Sequence, residues 1–389
     1  MRENFLIQPD VVFLNHGSFG ACPVPVFEVY QGWQRELESQ PVEFMGRRSD
    51  KLLDEARVPL AEYLHCHPDD VVYVPNATVG MNTVARSIPL QAGDEILGTD
   101  HEYGAVDLLW NFICEKTGAT YIRQPIPLPM TSAEDFVERL WSAVTPRTRV
   151  ISISHLTSPT ALIFPIAEII KRAREAGIYT LIDGAHAPGQ LPLNLTELDP
   201  DFYTGNCHKW MCAPKGAGFL YVRRDLHAMI DPLVVSWGYQ PLTGQAVGGG
   251  LVLSSATTRL VQQNQYQATR DISAYLSVPA AIDFQNHHNW DAQRARCHEM
   301  AMATRQRIAD LTGLPIVAPE ARIGQMFIAP LPETIDPFVF KQRLYDEFMV
   351  EAPIVVWNNK PYIRVSFQGY NTQADADKLI TALQALLSD

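Results

Sequence analysis

The stretch Arg149–Gly184 decides the fold: it reads RVISISHL (149–156), a short connection, FPIAEIIKRAREAG (164–177), then IYTLIDG (178–184). The outer runs are β-branched and apolar with little alternation, the pattern of strands covered on both faces. The middle piece carries Pro165 at its first turn, apolar Ile166, Ile169, Ile170 and Ala173 on one face, and Gly177 as its stop. Strand, helix, strand in that order predicts a parallel sheet with right-handed crossovers. The same alternation extends outward from about residue 70 to 225, through DVVYVP, NATVGMNTVARSI, DEILGTD, HEYGAVDLLWNFICEKTG, ATYIRQPI, DFYTGNC and GFLYVRR. After about residue 270 it gives way to long helical runs and a few strands, among them YIRVSF. The chain therefore reads as a large α/β domain over 20–270, three-layered around a mostly parallel sheet, with a smaller α+β domain formed by 1–19 and 271–389.

Composition narrows the function. The 389 residues suffice for two packed domains, and 47% hydrophobic with 19% charged residues is ordinary for a soluble globular protein. A net charge of −12 argues against a nucleic-acid partner, because a phosphate backbone demands a basic face. The opening MRENFLIQPDVVFLNHG breaks its apolar character too often for a secretory leader, and ALIFPIAEII (161–170) is too short to span a membrane. Cys22, Cys66, Cys114, Cys207, Cys212 and Cys297 include no CxxC pair, so neither a disulfide framework nor a zinc ribbon is suggested. A cytoplasmic enzyme is the expectation.

In parallel sheets ligands collect beyond the carboxyl ends of the strands. There lie NATVG (76–80), DHEYGA (100–105), DGAH (183–186) and GNCHKW (205–210), with neither a dinucleotide fingerprint nor a P-loop. Thr78 at a helix start offers a hydroxyl and free N–H groups to a phosphate, although a plain N-cap would look the same. Asp183 closes a greasy strand, so its carboxylate needs a partner that offsets desolvation; a structural ion pair would serve as well as a ligand. Lys209 stands on a turn between buried runs, where desolvation would favour the neutral, nucleophilic amine, although a surface lysine in a loop would read the same. Together these groups suit one cofactor: pyridoxal 5′-phosphate, whose ring nitrogen wants a carboxylate, whose phosphate wants a helix N-terminus and whose aldehyde wants a lysine. HCH (65–67) and NHHN (286–289) look like metal clusters, but adjacent side chains diverge, and no metal site is expected. Arg47 and Arg48 read either as pocket residues or as a solvated face.

The chain resembles the class V aminotransferase group of fold-type I pyridoxal-phosphate-dependent transferases, and within it the isopenicillin N epimerase-like family. The resemblance rests on FLNHGSFGACP, PNATVGMN, TDHEYGAV, HLTSPTALIFP, DGAHAPGQ, NCHKWMCAPKGAGFL, ATRDISAYLSVPAA and IRVSFQGYNT, which run nearly end to end. It implies that Lys209 is the lysine that takes the cofactor aldehyde and that Asp183 pairs with the ring nitrogen. It places His186 near the ring hydroxyl and Ser158 near the ring's oxygen substituent. Ala77, Thr78, Asn206 and His208 match phosphate ligands. Tyr103 stacks on the ring, with His101 the rival for that place. Thr269 reaches the phosphate of a neighbouring subunit, which implies a homodimer with shared sites. Arg364 grips the α-carboxylate of an amino-acid substrate, and Asn15 and His16 line the pocket mouth. Two departures stand out: Ala268 where the pattern has glycine, and Ser154 where an acid is expected. Loss of the substrate α-proton, with Lys209 as base, leads to epimerisation, C–S lysis or transamination. A persulfide-type desulfurase needs a mobile cysteine in the C-terminal half, and none follows Cys297. An isopenicillin N epimerase-like activity, a C–S lyase of the hercynylcysteine sulfoxide type and a catalytically silent scaffold are the readings carried forward.

Overall fold

The computed structural model describes residues 1–239 and 258–388. Twelve strands occur among them: β1 (Val12–Phe13), β2 (Val71–Val74), β3 (Glu95–Thr99), β4 (Thr120–Gln124), β5 (Thr148–Ser154), β6 (Tyr179–Gly184), β7 (Phe202–Asn206), β8 (Gly218–Val222), β9 (Met326–Pro330), β10 (Val350–Glu351), β11 (Ile354–Trp357) and β12 (Lys360–Ser366). Seven form the central sheet in the order β2-β8-β7-β6-β5-β3-β4. Only β8 runs against its neighbours, so the mostly parallel sheet read from the sequence is borne out. Consecutive residues alternate between two apolar clusters: Leu181 and Phe202 pack with Val84 and Trp110, whereas Ile182 and Tyr203 pack with Ile169 and Ile170. Helices cover both faces, and that gives the three layers.

The decisive unit folds as read. β5 leads to the helix Ile166–Glu175, which buries Ile166, Ile169, Ile170 and Ala173, and then to β6. Pro165 is the N-cap, one position outside that helix. The helix Ala77–Ser87 approaches β7 closely at Gly80, where an added Cβ would strike the Thr204 side chain; its first turn thereby reaches the end of the sheet.

The C-terminal region contributes an antiparallel sheet, β11-β12-β9, and the helices Trp290–Thr312, Pro337–Phe348 and Gln373–Ser388. The N-terminal segment joins it: β1 pairs in parallel with β10, and Asn15 bridges to Ser366. No described helix is long and apolar enough to cross a membrane.

Candidate active site

A cavity of about 340 Å³ opens at the carboxyl ends of the central strands. It is lined by Ala77, Thr78, Tyr103, Ser158, Asp183, His186, Asn206, His208 and Lys209, nine residues that the sequence singles out from five separate segments. Ser18, Phe19, Ser154, Leu156 and Lys215 complete much of the remaining wall.

Asp183 is the last residue but one of β6, and it is nearly fully buried. One oxygen accepts from the Ala185 N–H at 2.9 Å, and no cation among the described residues reaches ion-pair distance. Burial pushes its pKa up, against the Ala185 hydrogen bond and the charge of Lys209. A carboxylate so placed lacks a positively charged partner.

Lys209 lies in the turn after β7. Burial pulls its pKa down to about 8, with Asp183 opposing and Arg364 reinforcing the shift. Its Nζ lies 3.0 Å from His186 Nε2. The Trp210 indole N–H, which can only donate, reaches His186 Nδ1 at 3.3 Å. That donor assigns the neutral imidazole proton to Nε2, which then donates to the lone pair of an uncharged Lys209. Burial holds the His186 pKa well below its ordinary value, in agreement with this arrangement. The sequence reading included Trp210 in a motif but gave it no role.

The helix start at Ala77 is fixed from two sides. Asn76 caps it through the Val79 N–H at 3.0 Å, and Asn206 Oδ1 accepts from the Ala77 N–H at 2.8 Å. Asn206 therefore braces this turn, leaving its amide nitrogen to other partners. The Thr78 hydroxyl has no partner among the described residues. His208 Nδ1 donates to the Ala217 carbonyl at 2.9 Å, and burial lowers its pKa to about 4.

Arg364, on β12, crosses from the C-terminal sheet to the cavity edge. Its Nη1 donates to the Ser158 carbonyl at 2.6 Å and to Ser158 Oγ at 3.3 Å; its Nη2 donates to Ser18 Oγ at 2.8 Å. The Nε is buried without a partner, and no described carboxylate pairs with this guanidinium. Burial lowers its pKa to about 10.

Four expected residues are not part of the cavity wall: Arg364 bonds its lining residues Ser18 and Ser158, and three others lie further off. Asn15 bonds Glu351 at 3.1 Å and Ser18 at 2.6 Å, while His16 is fully buried between Tyr370 and the Lys209 carbonyl, each at 3.0 Å. It is Ser18 and Phe19, a few residues on, that face the cavity. Gly20 then turns at φ +71 against the His208 carbonyl, where a Cβ would collide with backbone. Thr269 is exposed and away from the cavity of its own chain, and Ala268 before it adopts φ +70, the conformation that glycine tolerates best. Of the two stacking candidates only Tyr103 lines the cavity; His101 is buried between Thr160 and the Ile126 carbonyl, both at 2.7 Å. Arg48 pairs with Glu36 and Glu43, and Arg47 is exposed, so the pair belongs to a solvated face. Among the described residues no group of three His, Cys, Asp or Glu could hold a metal ion.

Residues 22–379 match the aminotransferase class-V family, and the chain belongs to it. Members of this family use pyridoxal phosphate. The chain is 35% identical to an isopenicillin N epimerase of Amycolatopsis lactamdurans, over 99% of this chain and 97% of the relative. It is 29% identical to a putative L-cysteine desulfhydrase of Oryza sativa subsp. japonica, over 97% of this chain and 84% of the relative. A cysteine desulfurase structure from Escherichia coli superposes with a TM-score of 0.81 at 21% identity, covering 100% of this chain and 97% of the other; at that identity it speaks to the fold alone.

Proposed function

We propose that this chain is a pyridoxal-phosphate enzyme that acts at the α-carbon of an amino-acid substrate, with isopenicillin N epimerase-like chemistry as the leading reading. The observation that carries the substrate class is Arg364: a buried guanidinium with no acid partner among the described residues, bonded to Ser18 and Ser158, which line the cavity that holds Lys209. A substrate α-carboxylate supplies the missing charge in a two-pronged pair. The cofactor fits the residues present, because the unpaired Asp183 carboxylate suits the ring nitrogen and the Ala77–Thr78 helix start suits the phosphate.

When bound, pyridoxal phosphate supplies an electron sink for the pair left behind when the substrate loses its α-proton. The chain's own groups do the rest. Asp183 would hold the ring nitrogen's proton. Lys209, whose pKa burial lowers to about 8, would take the aldehyde and would then be placed to receive the α-proton at Nζ. Tyr103 would cover the ring, and the first turn at Thr78 would hold the phosphate with His208. Ser158 and Ser18 hold Arg364 in aim.

A C–S lyase is the second reading, supported by the desulfhydrase similarity. A persulfide route is disfavoured by chemistry: none of the six cysteines lines the cavity, and burial pushes the half-buried Cys22 up to about 12, far from a thiolate at neutral pH. The exposed Thr269 fits a role at the phosphate of a second subunit, and we place residues 20–270 and 1–19 with 271–389 in separate domains of such a dimer. One panel decides the reaction. Amino acids and cysteine conjugates are incubated with the loaded protein in deuterated water, reading label at the α-carbon, chirality and pyruvate together. Label with inversion supports the epimerase; pyruvate without inversion transfers the assignment to the lyase; neither, with every compound, points to a silent scaffold.

A further inference from the structure

One buried acid has no part in the chemistry above. Glu102, next to Tyr103 in the chain, is buried and bonds Ser154, which lines the cavity. One carboxylate oxygen accepts from the Thr99 hydroxyl at 2.6 Å; the other accepts from the Ser154 N–H at 2.8 Å and the Ser154 hydroxyl at 2.6 Å. Ser154 is the position where the family resemblance leads one to expect an acid. Here the acid arrives from 52 residues away and binds the serine instead. Ser154 pairs in register with Asp183 across β5 and β6, and both line the cavity. Asp183 in the cavity wall and Glu102 behind it are thus both neighbours of one serine.

Resting on the cofactor reading above, we infer that Glu102 is a positioning residue that acts through Ser154 on Asp183 and so sets how firmly the site holds the proton of the cofactor's ring nitrogen. When Glu102 is ionised, the Ser154 hydroxyl donates to it, and its charge adds to that of Asp183 in favouring a protonated ring. When Glu102 is protonated, the charge is gone and Glu102 donates to Ser154. The serine hydroxyl is then released to donate towards Asp183, which weakens that acid as a base. Both changes act in the same direction.

The surroundings favour a switch near neutrality. Burial lifts the Glu102 pKa to about 7, the Ser154 and Thr99 hydrogen bonds resist, and the charge of Asp183 adds to the rise. From the neighbouring elements Glu102 is faced by Asp183 on β6 and by Tyr121 on β4, whose hydroxyl is engaged by Asp107; buried His101 adjoins it in the chain. None of these is a fixed cation. Because the folded pKa exceeds the usual carboxyl value, the ionised side chain costs stability as pH rises through 7, and a glutamine in its place removes that cost. E102Q is therefore expected to fold.

The test loads the parent, E102Q, E102D and S154A with cofactor labelled at the ring nitrogen and follows the nitrogen-15 shift against pH. In E102Q the ring nitrogen should lose its proton about one pH unit lower than in the parent, the size expected for removal of one nearby charge. E102D keeps the charge and should return most of that shift, while S154A should show a smaller displacement. An E102Q curve that superposes on the parent's overturns the inference, as does an E102D displaced as far as E102Q. Should E102Q fail to fold, an S154A curve identical to the parent's overturns it alone. A parent that takes up no cofactor overturns the cofactor reading, and this inference with it.

Discussion

Replacing Arg364 with lysine separates recognition of the substrate from the chemistry. The guanidinium reaches Ser158 with one nitrogen and Ser18 with another, leaving a third buried and unpartnered. A lysine keeps one positive charge but places it at a single point. It can hold one of those serines or a substrate oxygen, and cannot present two parallel donors to a carboxylate. The loss is that of a charge-assisted hydrogen bond, about 1.5–3 kcal/mol. At 1.4 kcal/mol per decade this corresponds to about ten- to a hundredfold in substrate affinity. The assay titrates cofactor-loaded Arg364→Lys with an amino acid and follows the visible spectrum, whose starting form should match the parent because Arg364 is directed at the substrate. Parental affinity in the variant would mean that the carboxylate is held elsewhere and that Arg364 serves only to tie β12 to the Ser18 loop.

Three further outcomes are expected. Asp183→Asn retains shape but removes the charge under the ring nitrogen, and turnover should fall by about two orders of magnitude or more; parental turnover would make the acid structural. In the cofactor-free protein the Lys209 amine has its pKa lowered from 10.5 to about 8, so below pH 8 the fold carries an uncompensated cost, relieved as pH rises towards the unfolded value. Denaturant midpoints should therefore climb between about pH 8 and 10.5, by on the order of 2–3 kcal/mol, and Lys209→Met should flatten that climb; a parallel climb in the variant assigns it to other groups. Ala268→Gly relieves a left-handed alanine and should stabilise the chain by up to about 1 kcal/mol in the same assay, whereas a loss would show that the φ of +70 is not a strained one.

Much of the site was legible because its residues follow strand ends, and the strands announce themselves by β-branched, apolar composition. Asp183 stands at the end of such a run and Thr78 and Lys209 shortly after one, and the topology could only bring them to one edge. What the chain does not advertise is lateral register. Glu102 reads as one more polar residue in a loop, because its partner Ser154 becomes a neighbour only when β5 settles beside β3. Trp210 carries no role in the sequence, because its donor role depends on which His186 nitrogen it meets. In the N-terminal loop the resemblance points to Asn15 and His16 at the pocket mouth, yet the tight turn at Gly20 brings Ser18 and Phe19 to the cavity and His16 behind the lysine.

That loop also sets a schedule for biosynthesis. Asn15 bonds Glu351, 336 positions later, and His16 bonds Tyr370. At 5–20 residues per second, the first twenty residues wait roughly 20–70 s on the ribosome before their partners exist. Throughout that interval the central sheet can assemble, since its strands end at Val222, but Ser18 and Phe19 have nowhere to dock and Arg364 has not been made. A nascent chain can therefore present Lys209 and Asp183 on a formed sheet well before it can hold a substrate. Stalled or C-terminally truncated chains should bind cofactor, if at all, in a site open along one whole side.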